Sequence, residues 1–398
     1  MTQLANVWAE QGYHVLLYTD EPATEKDYWC NPQVKRIQVK GNSLKEKNEF
    51  LKKSLLQHNA EYFVDHVWCF KDDVAERAEI LKDSGIKYLV YIHGLFNIPF
   101  YNFDVGTLHY VEGIKKSHAV LCLNRMNFAF FAALGCRTLL TNNPIQPYLL
   151  DNDRISDLNG FNLLWIGRND QGKHFSDALE IFCRVRECEK NARLHVVGDI
   201  SLKEELNFVH IHEEVRKDIL FYGFDADVAK YYLNADLMLL TSEAEGYCYT
   251  LLESKCFGVP VVMYNLPYLS LVKDYRGITS VQMRNTEEAA AKVCLLLSDR
   301  KLLKEQGRQA RESFEYFASY DCASFWYNVF DDENIEKLIE NEKEELGQID
   351  FLDFEHITRG LLHDLEHNSR YINVPQTLFS RLHSKIRSCG GRVCQLFQ

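Results

Sequence analysis

No Gly-x-Gly-x-x-Gly follows a candidate strand in this sequence, and no Gly-x-Ser-x-Gly elbow occurs. The first absence removes the main support for a dinucleotide oxidoreductase, and the second removes that for a hydrolase. No apolar run approaches the roughly 18 residues of a spanning helix, so any membrane contact is expected at a surface. Twelve cysteines form no Cys-x-x-Cys pair and follow no secretory leader, which predicts reduced thiols in a cytoplasmic protein. The body has no long basic stripe. With 45 basic and 57 acidic residues and a net charge of −12, nucleic acid is not an expected partner.

What is present is the rhythm of an α/β protein. Strand candidates at residues 14–18, 62–68, 88–91, 119–123 and 138–140 alternate with helical patterns, which predicts a parallel sheet covered by helices. The rhythm restarts at Phe161 and runs to about Tyr320, punctuated by Gly258, Pro260 and Gly277. A length of 398 residues accommodates two or three domains. The expectation is two Rossmann-like domains, 1–146 and 147–330, facing across a cleft and followed by a helical tail, 331–398.

Two strand-to-helix turns carry the candidate chemistry. In the first, the apolar run Leu163 to Ile166 meets Gly167-Arg168, then a polar turn and Lys173 leading into a periodic helix, 174–188. Arginine offers a planar fork for phosphate oxygens and lysine a mobile charge, a pair suited to a diphosphate. In the second, the run Leu237 to Leu240 precedes Glu245-Gly246-Tyr247-Cys248-Tyr249-Thr250-Leu251-Leu252-Glu253. Here a helix N-terminus and its N–H groups can face an anion while the carboxylates hold hydroxyls. A charged helix face is the plainer reading of that acid pair.

Together these features resemble the retaining GT-B glycosyltransferases of family 4, within the glycosyl transferases group 1, over roughly residues 1–325. The resemblance implies that Gly167, Arg168 and Lys173 bind the donor diphosphate, with Gly246 and Tyr247 supplying N–H groups. It implies that Glu245 contacts the donor sugar and Glu253 the ribose. Leu194 to Asp199, Ile219 to Gly223, the stretch from Val228 to Leu240 and the turn Asn143-Pro144-Ile145 stand in the family's order. By the same resemblance His93, in Tyr91-Ile92-His93-Gly94, contacts the donor sugar; a ring bonded to nearby backbone is the alternative. Phe96, Phe100, Tyr101 and Phe103 beside it read as core for the most part, or as a stacking rim.

The opening departs from that pattern. Family members begin with a strand and a Gly-rich loop, whereas Met1 to Trp8 already reads as the following helix, with Leu4, Val7 and Trp8 on its apolar face and Gly12 ending it. A missing central strand would leave backbone groups unpaired in a buried place. His210-x-His212 and His363-x3-His367 have ligand-like spacing without a convincing third ligand, so no metal is expected. After Glu366 only basic charges remain, and Leu378, Phe379, Leu382 and Ile386 share one side of a candidate helix bearing Arg381, Lys385 and Arg387. Such a helix suits an anionic membrane at the inner cell face, or equally the protein's own acidic surface.

The expected activity is transfer of a sugar from a nucleotide diphosphate donor, a UDP-hexose or related sugar on family frequency, to a hydroxyl of a glycan or lipid-linked acceptor. Retention is implied, and no cofactor beyond the nucleotide-sugar co-substrate. The alternatives are a catalytically silent GT-B-like partner that stabilises an active transferase, and a nucleotide-sugar epimerase on the same architecture.

Overall fold

Every strand pairing among the described residues is parallel, because the apolar runs are joined by crossovers rather than hairpins. The computed structural model describes residues 1–24, 27–68, 71–100, 105–168, 170–200 and 211–345. The chain forms two units, Met1–Pro144 together with Asp321 onward, and Ile145–Tyr320.

In the first unit the order is α1 (Thr2–Glu10), β1 (Leu16–Thr19), β2 (Lys35–Gln38), α2 (Leu44–Gln57), β3 (Tyr62–Val67), α3 (Lys71–Leu81), β4 (Lys87–Ile92), α4 (Val105–Lys116), β5 (Ala119–Cys122), α5 (Arg125–Ala133) and β6 (Thr138–Leu140). The strands make two ladders, β1-β2 and β3-β4-β5-β6. β5 is buried throughout and β4 at all but its first residue, as strands covered on both faces must be. Phe96 is core, stacked on Phe130 with ring centroids 4.2 Å apart. α1 buries Leu4, Ala5 and Ala9, while Val7 and Trp8 are only half-buried.

The second unit runs α6 (Pro147–Leu150), β7 (Asn162–Ile166), α7 (Phe175–Cys188), β8 (Arg193–Val197), α8 (Glu213–Arg216), β9 (Ile219–Phe221), α9 (Ala229–Asn234), β10 (Leu237–Leu240), α10 (Tyr249–Cys256), β11 (Val261–Tyr264), β12 (Ile278–Val281), α11 (Thr286–Ser298) and α12 (Arg300–Ala318). Its six described strands form one sheet in the order β12-β11-β10-β7-β8-β9. Three buried strands, β7, β10 and β11, lie together at its centre. β12 and the first unit's β2, Ile-Thr-Ser-Val and Lys-Arg-Ile-Gln, lack the apolar runs that mark the other strands.

From Asp321 the chain returns to the first unit as α13 (Cys322–Val329) and α14 (Asp332–Glu345). Trp326 is fully buried and meets the Trp8 ring edge-on at 4.8 Å. The Tyr62 hydroxyl donates to the Phe330 carbonyl at 2.8 Å, and Lys87 pairs with Asp332 at 2.5 Å.

One expectation about cysteine is corrected. Cys188 and Cys294 form a disulfide between α7 and α11, with Cα atoms 6.5 Å apart and 106 residues of separation. The packing of those two helices brings the pair into bonding range, which no local spacing reveals. His210, the His363 and His367 pair, Tyr101, Phe103 and the basic segment beyond Glu366 lie outside the described residues. Among the described residues no helix is long and apolar enough to cross a membrane.

Candidate active site

The C-terminal ends of β7 and β10 are neighbours because the strands pair directly, Leu237 opposite Leu163 and Met238 opposite Leu164. Pairing therefore brings the two turns together despite some seventy residues of chain between them. Glu243 N–H donates to the Gly172 carbonyl at 2.9 Å, and Thr241 Oγ1 donates to the Lys173 carbonyl at 2.8 Å while accepting from Trp165 Nε1 at 3.1 Å. These bonds fix Lys173 so that its Nζ forms an ion pair with Glu245 Oε1.

Glycine is required on the floor of this arrangement. A Cβ on Gly198, whose φ is +138°, would stand 1.8 Å from the Gly167 carbonyl oxygen, and one on Gly167 would stand 2.6 Å from the Trp165 ring. Gly167 N–H in turn donates to the Val197 carbonyl at 3.1 Å, and Gly198 N–H to that of Gly223 at 2.8 Å. The backbone is thus drawn in close beside the end of β7.

Arg168 projects outward. Its side chain is 81% exposed and its nearest acid among the described residues, Asp170, is 3.9 Å away, so no close bond to a described acid ties up the guanidinium fork. Lys173 is more enclosed and Glu245 is nearly buried, with its N–H donating to the Tyr268 hydroxyl at 3.1 Å. Tyr247 is buried beside them and meets Tyr249 edge-on at 5.3 Å.

Both helices bordering the site begin on a left-handed residue without a side-chain cap, His174 (φ +44°) before α7 and Cys248 (φ +72°) before α10. A non-glycine residue held there costs on the order of 1–3 kcal/mol, a strain found mostly where function over-determines the backbone. His174 is held by Glu243, 2.7 Å from Nε2, and Arg284, 2.8 Å from Nδ1. Burial, with Glu245 adding to it, raises the Cys248 thiol to about 12. That thiol stays protonated, so it cannot supply a thiolate nucleophile.

Glu253 lies on α10 rather than in the turn. Its Oε1 accepts the Tyr148 hydroxyl and its Oε2 that of Tyr232, each at 2.9 Å. Burial pushes its pKa upward. On the same helix Lys255 is fully buried, donating to the Arg276 carbonyl at 3.0 Å and the Ser313 hydroxyl at 2.6 Å, and burial lowers its pKa to about 8. It braces the interior.

His93 belongs to the first unit, at the end of β4, with its N–H donating to the Val67 carbonyl at 2.9 Å. Its Nε2 lies 2.7 Å from Nδ1 of His66, and its ring stacks on Trp68 at 5.0 Å. Desolvation, and then the charge of the chain's amino terminus, lowers His93 to about 3; His66 is also driven down by burial. Both rings are neutral, and one lends its proton to the bond between them.

Of the residues expected from sequence, Gly167, Arg168, Lys173, Glu245, Gly246, Tyr247 and Glu253 all lie in the second unit. The structure joins Lys173 to Glu245 directly. Thr241, His174, Glu243, Tyr148 and Tyr232, which lock those residues in place, escape sequence reasoning, since each acts through a partner distant in the chain. Among the described residues no cluster of three metal-ligating side chains occurs.

Residues 152–313 match the family model described as Glycosyl transferases group 1. N-acetyl-alpha-D-glucosaminyl L-malate synthase of Bacillus anthracis is 29% identical over 177 residues, 43% of this chain and 45% of that protein. The chain therefore spans under half the length of that relative. Among solved structures, sucrose-phosphate synthase from Thermosynechococcus elongatus superposes with a TM-score of 0.70 at 14% identity, covering 82% of this chain and 91% of that one. Anabaena HepE in complex with UDP and glucose superposes with a TM-score of 0.63 at 15% identity, covering 82% and 94%. The fold is that of the GT-B glycosyltransferases.

Proposed function

We propose that the second unit binds a nucleotide diphosphate sugar and that the protein transfers the sugar to an acceptor hydroxyl with its anomeric configuration retained, as in family 4. The observation that carries this reading is the Lys173–Glu245 ion pair, in which a cation suited to a diphosphate meets a carboxylate suited to sugar hydroxyls. The match of residues 152–313 to Glycosyl transferases group 1 supports it, since that segment contains both turns.

The bond from the anomeric carbon to the diphosphate oxygen breaks, and a bond to the acceptor oxygen forms on the same face. The departing phosphate oxygen takes the acceptor's proton. Arg168, Lys173 and the N–H groups of Gly246 and Tyr247 stabilise the charge that grows on the leaving group, the kind of preorganised stabilisation that dominates such steps. With cations and N–H groups in that role, no metal is required. Glu245 orients the sugar, and Glu253 receives the ribose with its remaining lone pairs. For His93 the resemblance alone speaks; its neutral ring suits a hydroxyl partner.

A UDP-hexose or related donor fits the bound UDP and glucose of the HepE relative. A cell-surface glycan or glycolipid acceptor fits a relative whose name is poly(ribitol-phosphate) alpha-N-acetylglucosaminyltransferase. The test is release of nucleoside diphosphate from a panel of nucleotide sugars, with product configuration read by NMR. Release that depends on acceptor, with an α-linked product from an α-linked donor, supports the assignment; an inverted product or an isomerised free donor overturns it.

A further inference from the structure

Two residues of the second unit occupy the left-handed region, which glycine would adopt without steric cost: His174 (φ +44°), before α7, and Arg284 (φ +62°), in the turn between β12 and α11. Their side chains meet, with Arg284 Nη1 lying 2.8 Å from His174 Nδ1. Six non-glycine residues among those described have positive φ, and these two bond each other across 110 residues of chain. Glycine at either position would relieve the backbone. Strain of this kind persists where the side chain is needed and its surroundings hold it in place.

The bonds around this pair have a direction. Arginine carries donors only, so Nδ1 of His174 accepts and the ring's proton sits on Nε2, 2.7 Å from Oε2 of Glu243. Arg284 is held from behind. Its Nε lies 2.9 Å from Oδ2 of Asp177, a buried acid in the first turn of α7 that also accepts the Tyr264 hydroxyl. Burial, and then the bond to Asp177, raises the Tyr264 pKa, so that hydroxyl stays a donor. Glu243 closes the series, since its own N–H donates to the Gly172 carbonyl at 2.9 Å. Glu243 therefore holds Gly172 and His174, the residues on either side of Lys173, and Thr241 holds the Lys173 carbonyl between them. None of these bonds engages the Lys173 ammonium, whose partner is Glu245.

We propose that His174 and Arg284 are positioning residues that fix the turn carrying Lys173, with Arg284 acting through the His174 ring. The inference rests on the proposed activity, in which Lys173 stabilises the departing diphosphate. Its test is the cycle His174→Gly, Arg284→Gly and both together, in which glycine relieves the backbone while removing the side chain. Each single variant is expected to lower kcat for nucleoside diphosphate release about 10- to 100-fold, as misplacement of a catalytic group does. The KM for donor should change less, because the charge that Lys173 meets grows in the transition state, and the melting temperature should stay within about 4 °C of the parent. The double variant should match the single ones, since the two residues act in series. Losses that multiply in the double variant would overturn the proposal. So would losses explained by melting, or a rise in KM confined to Arg284→Gly, which would make Arg284 a substrate contact. A second measurement reads the parent protein directly: with nitrogen-15 in its histidines, the His174 signals, identified by their loss on substitution of that residue, should show a proton on Nε2 and a bare Nδ1 near neutral pH. A proton on Nδ1 would overturn the proposal even where the variants do not fold. A parent inactive on every nucleotide sugar would remove the proposed activity and this role with it, whereas an active parent with multiplying losses overturns the positioning alone.

Discussion

Among the described residues, the second unit threads six strands into one ladder, whereas the first divides six between a pair and a quartet. In the second unit each central strand is braced on both edges, so the turns at the ends of β7 and β10 are held in register and Lys173 reaches Glu245. In the first unit β1 and β3 are each paired on one edge among the described residues. Local opening starts where backbone hydrogen bonds and buried contacts are fewest. The unit bearing the candidate donor site is the one whose central strands are paired on both edges.

The sharpest way to break this contrast is at Gly198. Replacing it with Ala puts a methyl against the Gly167 carbonyl, and the expected loss is at least about 4 kcal/mol of stability in the second unit. Urea unfolding followed at Trp165, the only tryptophan of that unit, measures it. A midpoint like that of the parent would show that close approach of β7 and β8 does not hold the site. Arg168→Ala should do the opposite, lowering kcat/KM by about 100- to 1,000-fold, the effect of losing one leaving-group contact, with an unchanged melting temperature because the side chain is exposed. A fall in melting temperature that accounts for the lost activity would make Arg168 structural.

A smaller effect is expected at Glu253. Glu253→Ala leaves the buried Tyr232 hydroxyl only its longer 3.2 Å bond to the Thr250 carbonyl, at about 0.5–1.5 kcal/mol, and should raise the KM for donor more than it lowers kcat. Tyr148→Phe, which frees Oε1, should leave KM within about twofold, since a single exposed contact contributes little. A large kcat effect with unchanged KM at Glu253 would remove the ribose assignment.

The smallest effect concerns pH. His93 has a folded pKa of about 3, below the roughly 6.5 of an unfolded histidine. Between those values the unfolded state binds a proton that the folded state refuses, so this contribution is intact above about pH 6.5 and erodes as pH falls toward 3. The slope is at most about 1.4 kcal/mol per pH unit. In a Trp165→Phe background, fluorescence reports the first unit through Trp8, Trp29, Trp68 and Trp326. Its urea midpoint should fall between pH 7 and pH 5, and His93→Gln should flatten that fall. Equal slopes in the two proteins would exclude His93 as the source.

Buried strands were legible because they are apolar on both faces: Leu163 to Ile166, Leu237 to Leu240 and Ala119 to Cys122 declare themselves. β2 did not, since Lys35 and Gln38 at its ends are exposed and its sequence is mostly polar. The helix at Met1 was legible, but its buried face includes Ala5 and Ala9 rather than Val7, because small residues admit the close approach of a neighbouring strand. The candidate site was legible as two turns carrying cations and acids. The bonds joining them were not, because Thr241 to the Lys173 carbonyl and Glu243 to that of Gly172 depend on strand order. For the same reason the Cys188–Cys294 bond was invisible, as helix packing across 106 residues leaves no local trace.

The return of the chain at Asp321 has a consequence for how the molecule emerges from the ribosome. Ile145–Tyr320 is contiguous and can complete its core once its own residues have been synthesised. The first unit, though begun earlier, cannot: Trp8 waits for Trp326, the Gln11 side-chain amide for the Ala323 carbonyl and Tyr62 for the Phe330 carbonyl. Translation order and folding order are therefore reversed. The early-made α1, β1 and β3 must stay soluble and unpaired with foreign chains until the last described helices arrive, which makes this interval the one in which a chaperone has most to protect.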